Sequence, residues 1–320
     1  MAGIACHFDD MKLFASLFLG LALLAVSPSS IQAREGHAPA VRKAKAKPAH
    51  RHRAPRRARQ RLAKAPKAAR LAALRSSAVL ILDPKTGKVL YEKNAAAAMP
   101  IASLTKLMTA LVVLEAGQNM NEKLTVTGAD VDRLKYSSSR LQVGTRLSRA
   151  AMLHIALMSS ENRAASALGR NYPGGTKRFV AAMNAKARAL GMLRTRYVEP
   201  TGLSSANVSS PQDLAKLVIA VERHALIRRY STDRHFTIRQ GRQQTVYHNT
   251  NRLTANPSWR IRLQKTGYIS EAGRCMVLHA SVGGRPTVMV FLDAQGKFSR
   301  AADANRVRAW LASFKPAARG

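Results

Sequence analysis

The sequence has few acidic, aromatic and cysteine residues. It carries 17 Asp and Glu against 53 Lys and Arg, and aromatic residues make up 5% of its 320 residues. The cysteines are Cys6 and Cys275, too few for a four-cysteine zinc site or a disulfide framework. Beyond residues 13–26, no run approaches the roughly 20 apolar residues of a membrane-spanning helix. These shortages exclude a disulfide-stapled miniprotein and an internal membrane span, while the length allows about two domains with buried cores.

Residues 13–26 form an apolar run that is typical of an export signal. A lysine precedes the run, small residues follow it, and Ala33 ends a stretch suited to cleavage. We therefore predict a signal peptide over residues 1–33 and a periplasmic protein. Two aspartates precede the run, so the start codon, Met1 or Met11, stays open, and an uncleaved N-terminal anchor is the alternative.

Residues 34–76 form a strongly basic segment. They hold fifteen Lys and Arg against Glu35 and have few large apolar side chains. Such a composition cannot bury enough surface to offset the entropy of ordering, so most of the segment is predicted to be disordered. A basic tail binds polyanions through counterion release. Because the export signal argues against nucleic acid, we expect contact with an anionic cell-wall or membrane surface; a solvated linker without a specific partner is the alternative.

The folded region is predicted to run from residue 77 to residue 320. Short apolar runs bounded by turn residues predict strands, and apolar residues at helical spacing predict helices. The predicted strands cover residues 78–82, 89–91, 236–238, 245–248, 261–265, 275–282 and 287–292, and the clearest helices cover 103–117, 150–168, 176–190, 211–223 and 300–314. This order indicates an α/β or α+β fold in which a helical lobe is inserted into a sheet built from both ends of the chain.

Ser103 and Lys106 open the first predicted helix as Ser103-Leu104-Thr105-Lys106. Residues three apart share a helix face, so the lysine can reach the serine hydroxyl. A lysine acts as a base only when its ammonium is deprotonated, and burial or a nearby cation favours that by lowering its pKa. Considered by itself, Ser-x-x-Lys arises by chance, and a helix N-cap is the simpler explanation of Ser103.

Ser160-Glu161-Asn162 supplies a second hydroxyl and an amide two residues apart. It follows the apolar run 155–158 in the helical stretch. From there both side chains could meet the first motif across a cleft between two lobes. Without the first motif, a polar break within a pair of helices explains these residues.

Lys265-Thr266-Gly267 ends the predicted strand 261–265. A glycine in a strand lets a ligand approach the backbone closely. The same tripeptide occurs as Lys85-Thr86-Gly87, directly after Pro84 and ahead of the serine motif. We interpret that copy as turn chemistry only.

In the order Ser-x-x-Lys, Ser-x-Asn and Lys-Thr-Gly, these motifs resemble those of the penicillin-recognising serine peptidases and β-lactamases. Longer stretches sharpen the resemblance, which covers about residues 77–315: residues 100–110 (PIASLTKLMTA), 157–165 (LMSSENRAA) and 198–203 (VEPTGL). They are similar to the D-alanyl-D-alanine endopeptidases called penicillin-binding protein 7, a group of the D-alanyl-D-alanine carboxypeptidase family of serine peptidases. The resemblance implies a β-lactamase/transpeptidase-like fold with an antiparallel sheet and an all-helical inserted lobe. It identifies residues 77–320 as a serine DD-peptidase domain.

The resemblance also implies the catalytic roles. Ser103 attacks the carbonyl of a D-Ala peptide bond, Lys106 accepts its proton, and Ser160 relays that proton to the leaving amine. Two lysines close together would hold each other's pKa down, which would free Lys106 as a base at neutral pH. The backbone N–H groups of Ser103 and Tyr268 would form the oxyanion hole.

Substrate binding is implied for the remaining motif residues. Asn162 would hold the substrate amide, and Lys265 and Thr266, with Gly267 beside them, would bind the carboxylate next to the scissile bond. Peptidoglycan peptides are the expected substrates and β-lactams the expected covalent inhibitors, with no metal, cofactor or nucleic acid required.

The resemblance favours an endopeptidase that cleaves D-Ala–diaminopimelate cross-links, with a carboxypeptidase that trims pentapeptides as the alternative. A β-lactamase would need a glutamate that activates water, and Glu199 is the nearest candidate beyond the second motif. A non-catalytic cell-wall-binding protein is a further alternative.

Overall fold

A computed structural model of the chain describes residue 71, residues 73–240 and residues 243–314. The predicted signal peptide, residues 1–33, and residues 34–70 of the predicted basic segment lie outside the described residues. None of the described helices combines the length and the hydropathy that crossing a bilayer requires.

An antiparallel sheet forms the centre of the fold. Strands β1 (Ser76–Leu82) and β2 (Val89–Lys93) come from the start of the folded region, and β9 (Arg260–Ile269), β10 (Gly273–Val282) and β11 (Arg285–Ala294) come from its end. They lie in the order β2-β1-β11-β10-β9, and each neighbouring pair is antiparallel. The prediction of a sheet built from both ends of the chain is confirmed, and β9 lies at its edge.

Both faces of this sheet are covered, as the alternation of side chains along β1 shows. Leu80 and Leu82 belong to the core that the sheet shares with the helical lobe. Val79 and Ile81 point the other way and pack in a second core with the last helix, α7 (Ser299–Leu311). Because successive side chains alternate between faces and both faces are buried, β1 is apolar at nearly every position.

The helical lobe lies between β2 and β9 in the chain. Its helices are α1 (Thr105–Glu115), α2 (Arg149–Met158), α3 (Asn162–Arg170), α4 (Gly175–Ala189), α5 (Pro211–Val221) and α6 (Ala225–Thr232). Side-chain caps explain where two of them begin. The Ser148 hydroxyl accepts a hydrogen bond from the Ala151 backbone ahead of α2, and the Ser210 hydroxyl accepts one from Asp213 ahead of α5.

Short strands accompany these helices, so the inserted lobe is mostly rather than wholly helical. The pairs are β3 (Met99–Pro100) with β6 (Val208–Ser209), β4 (Lys123–Thr125) with β5 (Arg146–Ser148), and β7 (His235–Gln240) with β8 (Gln243–His248). The predicted helix 150–168 is also divided into α2 and α3. Ser160 has a φ of +64°, which no right-handed helix contains, and the chain turns there.

The folded region begins before residue 77. Leu71 and Leu74 are buried in the core beneath α7. The Asp303 carboxylate of α7 accepts hydrogen bonds from the backbone N–H groups of Arg75 and Ser76 and from the Ser76 hydroxyl, at 2.8–3.2 Å. We call this contact the Asp303 clasp. Packed residues therefore occur several positions ahead of the predicted boundary after residue 76, where the basic composition around Leu71 and Leu74 conceals their burial.

Candidate active site

Ser103 lies in a short 3-10 turn, Ala102–Leu104, that leads directly into α1. Ala102 has a φ of +47°, a left-handed conformation that costs about 1–3 kcal/mol for a residue other than glycine. Gly202 packs behind this turn: its φ is +83°, and a Cβ on it would lie 2.0 Å from the Ala102 carbonyl oxygen. Ser103 does not cap the helix; the strained turn instead leaves its hydroxyl facing a groove.

Lys106 follows Ser103 by one helical turn and is almost completely buried. Its Nζ donates hydrogen bonds to Ser103 Oγ at 2.9 Å, to Asn162 Oδ1 at 2.8 Å and to the Thr201 carbonyl at 2.6 Å. Burial lowers the pKa of Lys106 from 10.5 to about 8, although two nearby glutamates act in the opposite direction. Of the two causes that the sequence suggested, burial and a second lysine, burial lowers the pKa of Lys106, whereas the charge of Lys106 contributes to lowering the pKa of Lys265.

Ser160 and Asn162 lie at the turn between α2 and α3. The left-handed backbone of Ser160 is a second strained position in the site. Ser160 Oγ accepts a hydrogen bond from Lys265 Nζ at 2.8 Å. Asn162 accepts from Lys106 through Oδ1 and donates from Nδ2 to Ser137 Oγ at 2.9 Å. The turn therefore directs one side chain toward each buried lysine.

The sequence predicted that Lys265 ends a strand, but it lies inside β9, because pairing with β10 continues to Ile269. It is fully buried, and its Nζ donates to the Thr266 carbonyl at 2.8 Å as well as to Ser160. Burial, followed by the charges of Lys106 and Arg300, lowers the pKa of Lys265 well below its ordinary value.

The other Lys-Thr-Gly copy lies elsewhere, in an exposed turn between β1 and β2. The Asp83 side chain accepts a hydrogen bond from the Lys85 backbone at 2.8 Å, and the Asp83 carbonyl accepts one from the Gly87 backbone at 2.9 Å. The interpretation of this copy as turn chemistry is confirmed.

Gly267 brings β9 against the Ser103 turn. A Cβ at this position would lie 3.0 Å from both the Ser103 nitrogen and the Ile101 oxygen, so glycine permits the close approach. Tyr268 follows on the strand and lines the groove. The two N–H groups predicted to form the oxyanion hole thus belong to segments that touch, and their role stays a prediction.

A groove of about 550 Å³ connects these residues. It is lined by Ser103, Lys135, Ser137, Ser160, Asn162, Leu203, Thr250, Thr266, Gly267, Tyr268, Ile269, Ser270 and Arg300. Near Thr266, Thr250 Oγ1 lies 2.7 Å from Thr266 Oγ1, and Arg300 donates to the Gly267 carbonyl at 2.9 Å. Guanidinium and hydroxyl groups at this end suit a carboxylate.

Ser137, Thr250 and Arg300 also line the groove but were not predicted from the sequence. Each comes from an element outside the three motifs, and no spacing in the sequence connects it to them. The nearest sequence signal is that Arg300 opens the predicted helix 300–314. This helix, α7, packs against the sheet and so places Arg300 at the groove.

Glu199 is held in place by neighbouring donors. Its carboxylate accepts hydrogen bonds from the backbone of Thr201 and Gly202 at 2.6 Å and from Asn207 Nδ2 at 2.9 Å. These bonds fix the turn that presents the Thr201 carbonyl to Lys106. Glu199 therefore shapes the site, and these bonds favour a structural role over that of the water-activating glutamate of a β-lactamase.

The arrangement is suited to acyl transfer. Ser103 contacts Lys106, and Ser160 contacts Lys265; both lysines are buried and have lowered pKa values. These are the features of an activated nucleophile and a proton-transfer partner. Within the described ranges, no group of three or more His, Cys, Asp or Glu side chains is placed to hold a metal ion.

Comparisons with known proteins agree with this chemistry. The family model described as D-alanyl-D-alanine carboxypeptidase matches residues 63–296. The chain is 48% identical over 240 residues to a D-alanyl-D-alanine endopeptidase of Pseudomonas aeruginosa, covering 74% of this chain and 77% of that protein. It is 45% identical to the D-alanyl-D-alanine endopeptidase of Escherichia coli, covering 75% and 78%.

Solved structures agree as well. The Streptomyces K15 DD-transpeptidase superimposes with a TM-score of 0.70 at 27% identity, over 74% of this chain and 97% of that one. The predicted fold class and the resemblance that the motifs indicated are both confirmed. The chain belongs to the D-alanyl-D-alanine carboxypeptidase family of serine peptidases.

Proposed function

We propose that this protein is a serine DD-peptidase that acts on peptidoglycan through an acyl-enzyme formed on Ser103. The observation that carries the proposal is the 2.9 Å contact between Lys106 Nζ and Ser103 Oγ, with the Ser160–Lys265 contact beside it. Membership of the family and the endopeptidase names of two relatives support it.

Acylation begins when neutral Lys106 takes the proton of Ser103 as Oγ attacks the carbonyl carbon of a D-Ala residue. The N–H groups of Ser103 and Tyr268 donate to the developing oxyanion, and each such donor typically contributes about 10²–10³ in rate. Ser160 relays a proton to the leaving amine. Water then hydrolyses the ester, with Lys106 again as the base.

The substrate is held at both sides of the scissile bond. Lys265, Thr266 and Arg300 bind the carboxylate of the residue that leaves, and Asn162 binds the substrate amide. A β-lactam carries a carboxylate in an equivalent place, so it acylates Ser103 and stays bound as an inhibitor.

This mechanism makes acylation depend on pH through Lys106. Only the neutral amine of Lys106 can accept the proton. Because its pKa is about 8, the fraction of neutral Lys106 rises with pH up to about that value and then levels off. We expect the rate constant for labelling by a fluorescent penicillin to rise about tenfold per pH unit below about pH 8 and to level off above it. A constant rate across this range, in protein shown to be folded by circular dichroism, would contradict Lys106 as the base.

The preferred bond within this proposal is the D-Ala–diaminopimelate cross-link. The amine of that cross-link lies on a D-centre bearing a free carboxylate, so the same anion site serves cross-links and terminal D-Ala-D-Ala. The endopeptidase relatives favour cross-links, and trimming of pentapeptides is the second candidate, favoured by the name of the family model.

Digestion of purified peptidoglycan, followed by mass analysis, tests the function. We expect cross-linked dimers to fall and tetrapeptide monomers to rise with the wild-type protein, and neither to change with the Ser103→Ala protein. Loss of terminal D-Ala from pentapeptides with dimers intact would establish the carboxypeptidase instead. No change in either product would overturn the proposal.

The proposed substrate also bears on location. Peptidoglycan lies outside the cytoplasmic membrane, so the proposal includes export by residues 1–33 and a periplasmic enzyme. Residues 34–70, with their high positive charge, would hold the enzyme loosely at the anionic wall or membrane surface.

A further inference from the structure

An ion pair between Lys135 and Glu271 lies beside the groove. Lys135 belongs to the loop between α1 and α2, and Glu271 to the turn between β9 and β10, so the pair joins the helical lobe to the sheet. Lys135 and Ser270 line the groove. We call this ion pair the Lys135–Glu271 bridge.

Hydrogen bonds hold the loop that carries Lys135 and the carboxylate of Glu271 in place. The Asp132 carboxylate accepts hydrogen bonds from the backbone of Lys135 at 2.9 Å and of Ser137 at 2.8 Å, which fixes the loop. The Ser270 hydroxyl donates to Glu271 Oε2 at 2.8 Å. The hydrogen bond from Lys135 is the first cause that lowers the pKa of Glu271 to about 2, so Glu271 is charged at neutral pH.

In the proposed mechanism the bridge lies on the acyl side of the scissile bond. Thr266 and Arg300 bind the carboxylate of the leaving residue, which leaves the end of the groove near Ile269 and Ser270 for the acyl part of the substrate. From Gly267, which touches the Ser103 turn, to Glu271 the chain spans at most about 14 Å. One D-Ala residue and the long side chain of the residue before it cover a similar distance.

The bridge is exposed enough to be replaced by a ligand. The side chains are 27% and 41% exposed, and ion pairs in such surroundings contribute little net stability. A ligand with one charge would meet one attractive and one repulsive partner. A ligand that carries an ammonium and a carboxylate together can satisfy both.

We propose that Lys135 and Glu271 form a specificity subsite for an acyl-side chain that ends in an amino-acid zwitterion, with Lys135 binding its carboxylate and Glu271 its ammonium. The free end of a diaminopimelate side chain has this chemistry. The proposal rests on the proposed function and adds to it the selection of the acyl donor.

Four synthetic pentapeptides ending in D-Ala-D-Ala test the subsite. They differ at the third residue: meso-diaminopimelate carries both charges, lysine the ammonium, 2-aminopimelate the carboxylate, and norleucine neither. We measure kcat/KM for cleavage after the first D-Ala by full-length protein, both in these pentapeptides and in D-Ala–diaminopimelate cross-linked dimers whose acyl strands carry the same four third residues. The wild type is expected to prefer the diaminopimelate peptide over the norleucine peptide by about two- to fivefold, the size expected for exposed charge pairs.

Single substitutions should switch this preference. Lys135→Met leaves the glutamate without its lysine, so the lysine peptide becomes a preferred substrate. Glu271→Gln leaves Lys135 without its carboxylate, so the 2-aminopimelate peptide becomes a preferred substrate. A purely structural bridge would lower all four rates by the same factor, and that result, or equal rates for all four peptides in the wild type, would overturn the subsite.

A second ion pair provides the matched control. Lys186 and Glu115 pair on α4 and α1 with exposures of 27% and 38%, close to those of the bridge. Lys186→Met and Glu115→Gln should leave the order of the four peptides unchanged; a switch in these variants would also overturn the subsite. If wild-type protein cleaves no peptide and takes up no penicillin label, the proposed function fails, which is distinct from cleavage without preference.

Discussion

Replacing Ser103 with alanine should abolish covalent labelling by fluorescent penicillin and reduce peptide hydrolysis by about 10⁴-fold or more. The hydroxyl is the nucleophile in the proposed mechanism, so no acyl-enzyme can form without it. The side chain contributes one of the three hydrogen bonds that Lys106 donates. Labelling after gel electrophoresis and D-Ala release measure the two effects.

The Ser103→Ala protein is expected to fold normally, because Asn162 and the Thr201 carbonyl still receive hydrogen bonds from Lys106. The control is Ser204→Ala, a nearby serine whose hydroxyl accepts a hydrogen bond from the Ala206 backbone at 3.2 Å. It should label at the wild-type rate. Persistent labelling of folded Ser103→Ala protein would show that another residue is the nucleophile.

Replacing Lys265 with methionine should reduce acylation by about 100-fold, since the Ser160 hydroxyl loses a buried hydrogen-bond donor. Lys265 donates to Ser160 and stands beside the anion site, so both proton relay and carboxylate binding suffer. Methionine preserves the length of the buried side chain and avoids a cavity. The rate of penicillin labelling at several concentrations separates weaker binding from slower acylation.

Lys85→Met is the matched control, because Lys85 begins the same tripeptide in an exposed turn. It should change the labelling rate by no more than about twofold, as for most exposed substitutions. Equal losses in the two variants would refute the assignment of the second copy to the site and the first to the turn.

The sequence predicted the elements and motifs that depend on local pattern. Apolar spacing and turn residues predicted the strands of the sheet and most helices. The order of the motifs is visible in the sequence itself. The left-handed backbone of Ser160 was not predicted, because the residues around it have helical periodicity. The helix is interrupted where the Ser160 side chain contacts Lys265 of the sheet. The extension of β9 through Gly267 to Ile269 likewise depends on pairing with β10.

Residues that tertiary packing brings to the site were beyond the reach of sequence patterns. Arg300 is 33 positions from the Gly267 carbonyl to which it donates, and Thr250 is 16 positions from Thr266. The sequence offered burial and a nearby cation as causes of the lowered pKa of Lys106 but could not decide between them, because burial depends on how the helix packs.

The Asp303 clasp determines how far the protein can be shortened for expression. A fragment that stopped at residue 296, where the family match ends, would lack α7 and leave Val79, Ile81 and the outer face of the sheet open to solvent. A fragment that started at residue 77 would lose the hydrogen bonds that Arg75 and Ser76 donate to the buried Asp303 carboxylate and would leave it with its ion pair to Arg306. The smallest unit worth producing therefore runs from Leu71 through Trp310.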